Sequence, residues 1–222
     1  CVDPNDIPAV AIVDPELMYS MPKGLTAATG MDALTHAIES YITPGAWVMS
    51  DMFELKAIEM IAQNLKAAVD NGKDVAAREA MSQAQYIAGM GFSNVGLGIV
   101  HSMAHPLGAF YDTPHGVANA LLLPYVMEYN AESPAAPKYI HIAKAMGVDT
   151  TGMSEAEGVK AAIEAVKALS ISINIPQKLH EINVKEEDIP ALAVAAYNDV
   201  CTGGNPRPTS VADIEALYHK AF

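Results

Sequence analysis

The sequence is poor in several features that would each have directed a reading elsewhere. Of 222 residues only two are cysteines, Cys1 and Cys201, so at most one bridge can form and a disulfide scaffold is excluded. A reducing, cytoplasmic setting is the expectation. Thirteen basic residues face 26 acidic ones, for a formal net charge of −13. That sign repels a phosphate backbone, which argues against nucleic acid as a partner. Long apolar runs are missing as well. Ala118 to Leu123 stops at Pro124, and no run approaches the roughly 20 residues a membrane helix needs. No basic and apolar leader opens the chain, so secretion has no support. An initiating methionine is absent too, and a chain that begins at Cys1 and runs at once into VDPNDIPAVAIVD reads as a piece of a longer protein.

Strand signals are scarce. Pro8 to Val13 (PAVAIV) is the one β-branched run bounded by Pro and Asp. A lone strand is not stable in water, so it is expected to pair either in a partner copy or with a sheet elsewhere in the protein. The strand, helix, strand alternation of a nucleotide-binding domain is absent. The glycines of GMGFSNVGLG do not match G-x-G-x-x-G and follow no strand, so they read as close helix approaches or sharp turns. No internal repeat or low-complexity segment is present.

What is there is helix. With 51% hydrophobic residues the chain can bury a substantial core, and breaks at Pro and Gly divide it into helical segments. Leu25 to Ile42 forms one, ending near Thr43-Pro44-Gly45. A second, capped by Ser50 or Asp51, carries Phe53, Leu55, Ile58, Ile61, Leu65 and Val69 at helical spacing as far as Asn71-Gly72. Val75 to Phe92 follows. His115 to Tyr129 reads as a buried helix interrupted by Pro124, and Pro134 to Met146 as another. Ser154 and Glu157 make a capping box, opening a helix striped by Val159, Ile163, Val166, Leu169 and Ile173. Glu186 to Val200 and Ser210 to Phe222 complete an all-α chain, separated by the loop CTGGNPRP.

The chemistry is concentrated in histidine. GIVHSMAHPLGAFYDTPHG, residues 98–116, holds three of the seven histidines. Upstream, Asp32 and His36 in GMDALTHAIES are four apart, which stacks them on one helix face. His101 and His105 share a face if their segment is helical, and His115 arrives from the next element. That gives five candidates for about four coordination places. Imidazole and carboxylate without thiolate suit ferrous iron or zinc, and the ligand types do not choose between them. His141, His180 and His219 lie among polar residues and read as surface histidines. The twelve methionines read as core filling.

GMDALTHAIESY and the pattern GxxHxxAHPLGxxxxxPHG together resemble the iron-containing (group III) alcohol dehydrogenases. GFSNVGLG, AFYDTPHGVANA and DVCTGGNPR are closest to the branch that interconverts 1,2-propanediol and lactaldehyde. The resemblance covers the whole chain and only the C-terminal part of the family's length. It implies the helical C-terminal domain of a two-domain, dehydroquinate-synthase-like dehydrogenase. Residues 15–222 would be the metal-binding catalytic domain, and residues 1–14 would be a remnant strand or linker of an N-terminal α/β domain that binds NAD. Carried over residue by residue, the metal ligands fall on Asp32, His36, His101 and His115. His105 is then the extra histidine beside nicotinamide and substrate, able to relay a proton. Phe92 and Cys201 would line the substrate pocket. The cofactors implied are Fe2+, with Zn2+ as the other candidate, and NAD; the implied assembly is a homodimer, and the fragment alone is expected to be inactive. Three readings compete. A zinc-dependent glycerol dehydrogenase or dehydroquinate synthase of the same superfamily shares the two-domain plan, but the PHG and AHPLG context argues against both. A helical metal-dependent phosphohydrolase would show an adjacent His-Asp pair, which is absent. A helical interaction module would use its histidines structurally. Gly203-Gly204 reads as a plain turn.

Overall fold

A computed structural model describes residue 5 and residues 7–222. Among them the regular structure is entirely helical: α1 (Lys23–Ile42), α2 (Val48–Asp70), α3 (Val75–Val95), α4 (Ile99–Tyr111), α5 (His115–Asn130), α6 (Tyr139–Ala145), α7 (Glu155–Ser172), α8 (Ile189–Tyr197) and α9 (Val211–Ala221), with short 3-10 turns between some of them. The strand expected over Pro8 to Val13 does not form. Ile7, Val10 and Ile12 are exposed, and an extended segment with no neighbouring strand has nothing to accept or donate its ladder hydrogen bonds. Part of the 1–14 segment, including Cys1, lies outside the described residues.

α1 organises the molecule. Fourteen of its 20 residues are buried, so it is enclosed on most sides rather than amphipathic. α2 and α3 pack on it and on each other, and α5 packs on it as well. α4 packs on α5 and α8, α9 on α8, and α6 with α7. One core runs from Met31, Leu34 and Ile38 on α1 through Ile58 and Ile61 on α2 to Leu107, Leu122 and Tyr218.

Several boundaries differ from the expectation, for local reasons. α2 begins at Val48, ahead of Ser50 and Asp51. The Ser50 hydroxyl accepts from the Trp47 N–H at 2.9 Å, and Asp51 instead takes Lys138 Nζ at 3.0 Å. α5 does not break at Pro124. Residues 120–124 are all buried, and that packing outweighs one lost backbone bond. α4 likewise runs through Pro106. Over Pro134 to Met146 the α-helix is confined to Tyr139–Ala145 after a 3-10 turn at Ala136–Lys138. α8 occupies only Ile189–Tyr197, so Asp199 stands beyond the helix in a turn. The capping box is as expected: Glu157 Oε2 accepts from the Ser154 N–H at 2.8 Å.

Candidate metal centre

Asp32 and His36 sit one turn apart on α1, His101 and His105 one turn apart on α4, and His115 is the first residue of α5. The close approach of α5 to α1 depends on Gly116, where a Cβ would lie 2.4 Å from the Ala28 carbonyl oxygen and 3.3 Å from Asp32 Cβ. Any larger residue there would push His115 away from Asp32.

Asp32, His36, His101 and His115 converge: one donor atom from each lies within 4.8 Å of the others. His101 Nε2 is 3.0 Å from His36 Nε2 and 4.0 Å from Asp32 Oδ1, while His115 Nε2 is 3.5 Å from the same oxygen. Imidazole binds a cation through its neutral form, and the surroundings favour that form. Burial, and after it the neighbouring His101, lowers the pKa of His36 to about 4. Burial also lowers that of His115. One carboxylate with three imidazoles is a donor set that suits a divalent transition ion, so the residues present fit the metal that the sequence implied.

Two residues that sequence reasoning passed over support this cluster. Glu39 is 2% exposed. Its Oε2 lies 2.6 Å from His101 Nδ1 and its Oε1 accepts from the Val100 N–H at 2.7 Å. A carboxylate accepting from Nδ1–H leaves the lone pair on Nε2, the atom that faces the cluster. Gly98 leaves room for it, since a Cβ there would lie 2.8 Å from Glu39 Oε1. Glu39 follows Asp32 by seven residues, two turns along the same face, and that periodicity was the available signal. Asn119, one turn after His115, is fully buried. Its Nδ2 donates to Asp32 Oδ1 at 2.6 Å and lies 3.1 Å from His101 Nε2 and 3.0 Å from His115 Nε2. Its Oδ1 has no hydrogen-bond partner among the described residues.

A second group adjoins the first. His105 is stacked with His115, ring centroids 5.4 Å apart and 14° from parallel. Its Nδ1 lies 2.7 Å from Asp199 Oδ2. Asp199 Oδ1 accepts from the Cys201 N–H at 2.9 Å. Burial, then the neighbouring Asp199, pushes the Cys201 thiol up to about 12, so it is a neutral thiol and a poor nucleophile. Phe92 stacks on His36 at 4.5 Å and walls that side of the cluster. Asp199 opens the DVCTGGNPR motif, but nothing in its spacing ties it to His105. His141, His180 and His219 are exposed and take no part. Gly203 and Gly204 lie in a 3-10 turn.

Fold and site together define a helical domain with a cluster of side chains fit to hold a divalent ion, and comparison with known proteins narrows this. Residues 26–222 match the Fe-containing alcohol dehydrogenase family, C-terminal, and the chain belongs to that family. It is 60% identical over 222 residues to the lactaldehyde reductase of Escherichia coli K12, covering all of this chain and 57% of that protein. It is 45% identical over 221 residues to the NAD-dependent methanol dehydrogenase of Bacillus methanolicus, covering 100% of this chain and 58% of that one. A crystal structure of 1,3-propanediol oxidoreductase superposes with a TM-score of 0.95 at 47% identity, over 97% of this chain and 56% of that one. The chain thus spans a little over half the length of the relatives it matches. Family membership sets aside the phosphohydrolase and interaction-module readings.

Proposed function

We propose that this chain is the metal-binding part of an NAD-dependent iron alcohol dehydrogenase that interconverts a small alcohol and its aldehyde, such as 1,2-propanediol and lactaldehyde. The observation that carries the reading is the convergence of Asp32, His36, His101 and His115, in a chain 60% identical to a lactaldehyde reductase. Asp32, His36, His101 and His115 would hold Fe2+, or Zn2+, which supplies Lewis acidity toward a substrate oxygen, while NAD supplies the hydride acceptor. His105 is positioned to take the alcohol's proton. Phe92 keeps water from the His36 side, and Cys201 contributes a small apolar surface to the pocket. Residues 15–222 form the catalytic domain, and residues 1–14 lead from a nucleotide-binding domain. The partners are that domain, the small substrate and a second copy of the chain. The exposed apolar side chains of Ile7, Val10, Ile12 and Leu17 support an interface there. No helix among the described residues is long and apolar enough to cross a membrane.

The test separates the two halves of the proposal. The isolated 222 residues should retain roughly one divalent ion per chain by elemental analysis and lose it on His101→Ala, while showing no NAD-dependent oxidation of 1,2-propanediol. The full-length protein should show both metal and turnover. A full-length protein free of transition metal, or propanediol oxidation by the isolated chain, would overturn the assignment.

A further inference from the structure

We propose that Asp199 is the positioning residue that sets the tautomer and orientation of His105, an inference that rests on the reading above that His105 takes the substrate's proton. Three observations carry it. The His105 side chain is 41% exposed and its one hydrogen bond among the described residues is to Asp199, at 2.7 Å. Asp199 is itself held: its second oxygen accepts from the Cys201 N–H at 2.9 Å. The turn that carries it is fixed to the helices on either side, because Thr202 Oγ1 donates to the Ala196 carbonyl at 2.8 Å and lies 2.8 Å from Ser102 Oγ on α4, one residue past His101. The carboxylate therefore has a defined place relative to the ring.

The arrangement repeats what Glu39 does for His101 one turn earlier on the same helix, where a carboxylate at Nδ1 directs Nε2 away from it. At His101 the freed Nε2 faces the ligand cluster. At His105 it has no partner among the described residues. An Nδ1–H donated to Asp199 leaves the lone pair on Nε2 as the proton acceptor. When alcohol is oxidised, the substrate O–H bond would break as an N–H bond forms at Nε2, and the carbinol C–H bond would break with its hydride passing to NAD+, leaving the C=O of the aldehyde. Asp199 offsets the charge of the imidazolium so formed, and the proton passes from the exposed ring to solvent. In the reverse direction the same nitrogen returns it. Cys201 holds Asp199 through its backbone N–H, and its thiol is a second hydrogen-bonding neighbour of the same carboxylate.

The experiment uses the full-length protein with 15N-labelled histidine, compared with Asp199→Asn and Asp199→Glu. Asparagine can present an N–H to Nδ1 and so favour the opposite tautomer. The expected result is a His105 signal that changes from Nδ1–H to Nε2–H, with kcat for 1,2-propanediol oxidation falling about 100- to 10,000-fold, the range for a general base, while KM and metal content stay near wild type. Asp199→Glu, which keeps the acceptor, should recover the Nδ1–H tautomer and part of kcat. An unchanged His105 tautomer in Asp199→Asn, or a kcat within about threefold of wild type where general-base loss is worth at least 100-fold, would overturn the proposal. A wild-type protein with no NAD-dependent turnover would overturn the dehydrogenase reading instead, and the tautomer signal would still decide whether Asp199 sets the ring.

Discussion

Each imidazole in this site is useful through one nitrogen, and the residues that select the nitrogen are as specific as the ligands. Glu39 does so for His101 with both of its oxygens engaged, one on the ring and one on the Val100 N–H. Glu39→Gln should keep the bond to Val100 but can turn an N–H toward His101 Nδ1, reversing the tautomer. Loss of such a partner typically weakens metal binding 10- to 100-fold. Titration of the metal-depleted protein with Co2+, followed by its visible absorption, should show a loss of that size, and unchanged affinity would remove Glu39 from the site. Residue type and spacing marked five candidates in the sequence, Asp32 with His36 and His101 with His105, each four apart, and His115 after them; the choice of four candidate ligands among them came from the family resemblance. Glu39 continued the first face and was legible in principle. Asp199 was not, because it reaches His105 across 94 residues of sequence from a turn where no periodicity applies.

At the scale of helices, the sequence marked most segments but misplaced their ends. Pro124 and Pro106 sit inside α5 and α4, since burial of a whole helix outweighs one missing N–H, and the Pro8 to Val13 segment, whose partner strand was expected in another copy or elsewhere in the protein, has none among the described residues. One consequence of the α1, α2 and α3 packing had no trace in the pattern. Glu54 on α2 is fully buried, pressed against α3 where a Cβ on Gly91 would lie 1.9 Å from its Oε1. Neither carboxyl oxygen has a hydrogen-bond partner among the described residues. Burial raises its pKa from 4.5 to about 8. The folded state therefore holds a proton that the unfolded state releases, so its contribution is complete below about pH 4.5 and is lost as pH rises toward 8. Between pH 6.5 and 8 this amounts to about 2 kcal/mol, at 1.36 kcal/mol per pH unit. Urea titrations across that interval should show stability declining with pH in the wild type and a flatter profile in Glu54→Gln. Equal slopes in the two proteins would place the ionisation elsewhere.

For the molecule as a whole, a bound ion would tie α1, α4 and α5 together, because its four candidate ligands come from those three helices. Anything that binds the folded state alone stabilises it by mass action, about 4 kcal/mol at a free concentration 1,000 times Kd. Chelation should therefore lower the melting temperature, and pH should modulate the chelated protein in a direction opposite to Glu54. His36 is held neutral in the fold down to about pH 4 against an ordinary value of 6.5. The unfolded chain thus takes up a proton first as pH falls. The contribution of His36 is complete above about 6.5 and is lost as pH drops from there toward 4. With chelator present, the melting temperature should fall through that interval, and His36→Gln should flatten the fall. With Fe2+ or Zn2+ in excess, the melting temperature should lie higher throughout and its decline should continue to lower pH than with chelator, because protons must now displace the ion before the folded state can take them up. If the metal-loaded and chelated proteins instead gave superimposable melting curves from pH 4 to 8, no ion would be coupling the three helices, and the convergence of their side chains would have to be explained by packing alone.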